Sequence, residues 1–169
     1  MLRRSKIILA LLLVLGLGAG SAISPSAWTQ AQAQDGVIFR RDQLRIISND
    51  TTHVFHIEIA ETPRQRSQGL MWRRRMAANT GMLFDFESAA PVVMWMKNTY
   101  IPLDMMFITA DGIILNIARG TKPHSTTFIP SAGPVRAVFE VPAGTVARLG
   151  IRAGDRIAHA IFTRPKKRK

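Results

Sequence analysis

The chain has 169 residues, 23 Lys or Arg against 11 Asp or Glu, a net charge of +12 and no cysteine. Lack of cysteine excludes disulfides, thiol catalysis and thiolate metal sites. The basic excess favours acidic partners at a membrane, polymer or nucleic-acid surface, but does not choose among them.

Arg3, Arg4 and Lys6 precede an unbroken apolar and glycine run from Ile7 to Gly20, and Ala31-Gln32-Ala33 follows after a small polar stretch. This order is that of a secretory signal peptide over residues 1–33. As a helix the run reaches about 21 Å, short of the roughly 30 Å of a bilayer core. Cleavage after Ala33 and export to the periplasm or cell envelope are therefore expected. The alternative is an uncleaved inner-membrane anchor extending beyond Gly20, which Ser21, Ser24, Pro25 and Ser26 dilute. Cleavage leaves 136 residues with 20 basic and 11 acidic side chains, enough for one domain.

Residues 34–52 read as a leader and a first strand near Leu44–Ile47, with Asn49-Asp50 as turn chemistry. His53 to Ile59 alternates, with Phe55, Ile57 and Ile59 on one face. Thr62, Pro63 and Gln65 form a capping-box start, and Gly69 a stop, for a helix over 63–68. Residues 73–80 form a polar loop, and 81–86 a strand. Val92 to Asn98 and Leu103 to Ala110 are apolar at nearly every position, as in strands buried on both faces; Trp95 is expected in that core. Asp111-Gly112 signals a hairpin returning through 113–118. Residues 120–134, rich in proline and hydroxyls, form an irregular loop. A strand over 135–141, a short helix between Gly144 and Gly150, a Gly154-Asp155 turn and a strand over 156–162 complete the chain.

The sum is a mostly β (α+β) fold. It is a compact single-domain β-barrel or sandwich-like body of about eight short strands and two short helices, over 53–163 after the leader. Residues 164–169 form a basic tail.

With Thr99–Pro102 as a four-residue loop, Lys97 falls opposite Asp104 on one face of a hairpin. With a two-residue turn at Asp111-Gly112, Arg119 lies beside Asp104 on the same face. A glycine bulge would shift that second register. Charged groups in apolar surroundings must pair, bind something or reach water. The candidate ligand-binding residues are therefore Lys97, Asn98, Asp104 and Arg119, with Trp72 and Arg73 from the neighbouring loop. The bland alternative is an ion pair closing a hairpin mouth.

His53 and His56 point to opposite faces of a strand, which disfavours a shared metal. The methionines of the apolar strands suit core filling better than a copper site. No P-loop, dinucleotide fingerprint or nucleophile elbow occurs, so neither cofactor nor metal is expected.

Several pieces are similar to the prokaryotic family called domain of unknown function 192. They are Gly69-Leu70-Met71 with Arg73; Gly81-Met82-Leu83-Phe84 with Phe86; Met96-Lys97-Asn98-Thr99; and Ile101-Pro102-Leu103-Asp104-Met105. Asp111-Gly112, Val135-Arg136-Ala137-Val138 with Glu140, Ala143-Gly144, Leu149-Gly150-Ile151 and Gly154-Asp155 follow in order. The resemblance implies a small, β-rich, barrel-like domain, often exported or membrane-attached. It brings no activity, cofactor or catalytic residue.

The leading functional expectation is a non-catalytic envelope module binding a small anionic or polyhydroxylated molecule. One alternative is a hydrolase-type enzyme using Asp104 or His124 as acid or base. Another is a structural protein held to acidic envelope polymer or lipid by Lys166, Lys167, Arg168 and Lys169. Nucleic acid is not expected, because no aromatic residues interleave the basic clusters.

Overall fold

The computed structural model describes residues 36–163. The segment 1–33 expected to be a signal peptide and the tail 164–169 lie outside them. Among the described residues no helix is long and apolar enough to cross a membrane.

The elements, in order, are β1 (Arg40–Ser48), β2 (Thr51–Ala60), α1 (Pro63–Gln68), β3 (Thr80–Ala90), β4 (Val93–Met94), β5 (Leu103–Ile108) and β6 (Ile114–Ala118). Then come β7 (Ile129–Pro130), β8 (Val135–Pro142), α2 (Thr145–Arg148), β9 (Arg156–Ala158) and α3 (Ala160–Thr163). Seven strands form one sheet in the order β6-β5-β8-β3-β2-β1-β9, and β4 pairs only with β7. The β2–β3 pair is parallel and every other pair in the sheet is antiparallel. A parallel pair needs a crossover; residues 61–79, with α1, supply it. The sheet curls into a half-barrel. Ile114 donates its amide to the Asp155 carbonyl (2.9 Å) and Ile157 donates to Gly112 (2.7 Å), so the β5–β6 turn meets β9.

Local chemistry explains the elements that match expectation. Asn49 and Asp50 both take positive φ (47° and 61°), the requirement of the tight turn between β1 and β2. Thr62 accepts the Gln65 amide, and the Gln65 side chain accepts the Thr62 amide, so the capping box forms and α1 spans 63–68.

Two cores lie on opposite faces of the sheet. The first takes residues from all seven strands, among them Ile46, Phe55, Leu83, Met106, Ile114, Phe139 and Ile157, and fills the inside of the curl. The second contains Leu70, Met82, Phe84, Met96, Leu103, Met105 and Val138. It lies on the other face, beneath the crossover and the β4–β5 connection. β5 is buried at every position because it contributes to both.

Three elements differ from expectation. Residues 92–98 do not form a strand beside β5. The two flanks of β5 are filled by β6 and β8, so only Val93 and Met94 are strand, against β7. Trp95 is consequently exposed rather than in the core (44 %). The loop 120–134 contains the short β7. The final strand stops at Ala158, and a third helix, α3, follows.

Candidate functional site

A cleft of about 360 Å³ opens on the second-core face. One side comes from α1 and the crossover (Arg66, Gly69, Leu70, Met71), the other from β4 and the residues after it (Met94, Trp95, Lys97, Thr99). Phe84 and Phe86 of β3 and Glu140 of β8 also line it. Glu140 stands between Met82 on β3 and Met105 on β5 in the register of the sheet. It alternates with Phe139 and Val141, which point into the curl.

Glu140 is 96 % buried (4 % exposed). No described residue donates a hydrogen bond to its carboxyl or pairs with it. No fully enclosed side-chain oxygen lacks a partner among the described residues, so the carboxyl oxygens open onto the cleft. An ionised carboxylate in such surroundings loses its hydration without compensation. Burial accordingly pushes its pKa from 4.5 to about 8. At neutral pH the group is a carboxylic acid with one O–H to donate and a carbonyl to accept.

The other charged groups of the cleft are Arg66 and Lys97. Arg66 is committed: its guanidinium donates to the carbonyls of Glu61 (2.6 Å) and Asp85 (2.8 Å) and lies over the Phe86 ring. Lys97 is exposed, has no acidic partner among the described residues, and holds its ammonium 5.5 Å from the Trp95 ring centroid.

The profile of DUF192, described as "Uncharacterized ACR", matches residues 44–159. The chain belongs to the DUF192 family. Two solved structures are similar to this DUF192 domain. One is a candidate transcription regulator of Sinorhizobium meliloti 1021, at 50 % identity and TM-score 0.72, covering 74 % of this chain and 98 % of that one. The other is a protein of unknown function from Novosphingobium aromaticivorans DSM 12444, at 36 % identity and TM-score 0.70, covering 72 % and 86 % respectively. Among curated proteins no match was found.

Within this DUF192 domain the sequence candidates separate. Lys97 does not face Asp104, because β4 lies against β7 and not β5. Asp104 is buried (1 % exposed), and its two oxygens accept the amides of Gly120 (2.9 Å) and Val146 (3.0 Å). The expected ion pair is replaced by a carboxylate that ties β5 to the chain after β6 and to the first turn of α2. Arg119 does sit in register beyond the Met105–Ala118 pair, despite the bulge near the β5–β6 turn. Its guanidinium turns instead to the Ile151 carbonyl (3.4 Å).

Asn98 takes positive φ (57°), and its carbonyl accepts the Trp72 amide (2.8 Å), which fastens the crossover to the β4–β5 connection. Trp72 is exposed (56 %) but does not line the cleft. Arg73 pairs with Glu58 and lines a different, more polar hollow with Arg41, His56 and Arg75. His124 packs its ring edge-on to Tyr100 (4.8 Å).

Of the candidates, only Lys97 lines the Glu140 cleft. Glu140 itself is absent from the sequence-derived set. Its one local signal is an acid within the apolar run Ala137-Val138-Phe139-Glu140-Val141.

Proposed function

We propose that this protein is an exported, non-catalytic module that holds a small polyhydroxylated molecule in the cleft over Glu140. The observation that carries the reading is the buried carboxyl with no protein partner, turned toward open space. Left empty, such a group has only water to satisfy it; a ligand hydroxyl can accept its O–H and donate to its carbonyl at once. Trp95 and Phe86 give the cleft aromatic surface, and Thr99 adds a hydroxyl. A few convergent polar groups in an apolar hollow is the common anatomy of a small-molecule site.

A catalytic reading is favoured by one fact, the proton affinity of Glu140 near neutrality. Sugar hydrolysis by the two-carboxyl route needs a second carboxyl about 5–9.5 Å away, and among the described residues Glu140 is the only acid lining the cleft. Binding is therefore the better-supported reading. The regulator name of the Sinorhizobium relative suggests nucleic acid, but the longest helix among the described residues has six residues and offers little to a major groove. Export rests on the pattern of residues 1–33, and the N-terminal sequence of protein recovered from the periplasm tests it.

The binding test is a thermal-shift screen of mature protein against neutral and charged monosaccharides and polyols. A ligand at 100 times its Kd stabilises by about 2.7 kcal/mol, a readable shift. Trp95→Ala removes an exposed cleft side chain with little effect on folding and abolishes the shift. If no sugar or polyol protects wild type, or if Trp95→Ala is protected equally, the reading fails.

A further inference from the structure

The charge of the cleft narrows the ligand class, on the assumption that the cleft is the binding site proposed above. Among the described residues its ionisable lining consists of Arg66, Lys97 and Glu140. Arg66 is occupied by two backbone carbonyls and the Phe86 ring, and Glu140 is flanked on β3 and β5 by Met82 and Met105, which do not titrate. Lys97 remains as a cation without an acidic partner among the described residues. The exposed Trp95 ring already carries that ammonium on its face, and the Phe86 ring carries Arg66. A cationic ligand would meet both positive charges and find these faces engaged by the protein's own cations. An anionic ligand meets one uncompensated ammonium and, at neutral pH, no negative charge.

We propose that the cleft selects sugar acids, of the uronic or aldonic class, with the ligand carboxylate at Lys97 and a ring or chain hydroxyl against the Glu140 carboxyl. The uncharged state of Glu140 is part of the recognition. When Glu140 ionises, the O–H donor is lost and a negative charge enters a hollow that already holds the ligand's own. Affinity for a sugar acid therefore falls as pH rises past about 8, whereas a neutral sugar loses only the donor. Lys97 and Arg66 are the charged groups that share the cleft with Glu140 among the described residues, and neither is bonded to it.

The test is isothermal titration of the mature protein with D-glucuronate, D-glucose and D-glucosamine at pH 7 and pH 9, with Lys97→Ala and Glu140→Gln alongside. Wild type is expected to bind glucuronate about tenfold more tightly than glucose at pH 7, the scale of one partly desolvated charge interaction. Glucosamine should bind weakest. Lys97→Ala, on the surface, should bring glucuronate and glucose within about twofold of each other, as loss of that interaction implies. Wild-type affinity for glucuronate should fall about tenfold between pH 7 and pH 9, the fraction set by proton loss. Glu140→Gln, which cannot ionise, should give one affinity at both pH values. Equal binding of glucuronate and glucose, or preference for glucosamine, overturns the sugar-acid assignment while leaving a sugar site in place. Failure of all three to bind at millimolar concentration removes the sugar site itself.

Discussion

The Val146 amide donates a 3.0 Å hydrogen bond to Oδ2 of Asp104, joining the first turn of α2 to β5, the second strand of the sheet. The other carboxylate oxygen takes the Gly120 amide at 2.9 Å. One buried side chain thus satisfies two backbone donors, 16 and 42 residues further along the chain.

Asp104→Ala leaves both amides without that acceptor. Charge-assisted bonds of this kind contribute about 1.5–3 kcal/mol each, and orphaned buried donors add cost. The variant should lose about 3 kcal/mol or more in urea denaturation. It should affect ligand affinity only through folding, because Asp104 does not line the cleft.

Glu140 makes stability depend on pH in a defined direction. The unfolded chain gives up this proton near pH 4.5, the folded chain near pH 8. Between those values the folded state binds the extra proton, so this contribution is whole below pH 4.5 and is lost as pH rises to about 8. The slope is on the order of 1 kcal/mol per pH unit. Glu140→Gln should flatten it, and chemical denaturation at pH 5, 6.5 and 8 measures the difference.

His159 acts with the opposite sign. Nδ1 accepts the Ile161 amide (3.3 Å), so Nε2 carries the ring proton and donates to Asp42 (3.3 Å). Burial lowers the pKa of the ring, and the Asp42 carboxylate works against that shift. A base with depressed affinity contributes stability above the ordinary value of 6.5 that is lost as pH falls below it. An NMR titration of the ring protons should show a midpoint below 6.5.

Gly81 lies beneath the Phe139 ring. A Cβ there would sit 2.4 Å from Cε2 of Phe139 and 2.6 Å from the Glu140 carbonyl oxygen. The carbonyl belongs to the β3–β8 ladder and cannot withdraw without breaking it. Gly81→Ala should cost at least about 3 kcal/mol, the upper range of overpacking, read as a lowered thermal midpoint.

What the sequence disclosed follows the distance over which each decision is made. The capping box at Thr62 and Gln65 and the Asn49-Asp50 turn are settled within four residues, and both are legible. The twofold burial of β5 is legible from its composition. The neighbour of β5 is not, because β8, some 30 residues downstream, takes the flank that Val92–Asn98 was expected to occupy. That one displacement undoes the Lys97–Asp104 pair and exposes Trp95. The Arg119 register is correct, yet the side chain turns elsewhere, since register fixes a face and not a rotamer. Glu140 stays hidden for a related reason. Its isolation depends on methionines at 82 and 105 being its neighbours, and only the strand order places them there.

Because residues 61–79 are a crossover rather than a ladder strand, one wall of the cleft is fastened by single bonds and not by a ladder, the Trp72 amide to Asn98 and the Arg66 guanidinium to Asp85 among them. Length changes within Arg66–Met71, the stretch of the crossover that lines the cleft, would reshape its mouth while the half-barrel keeps its pairing. The same scaffold can therefore carry hollows of different girth by changing the length of this one connection.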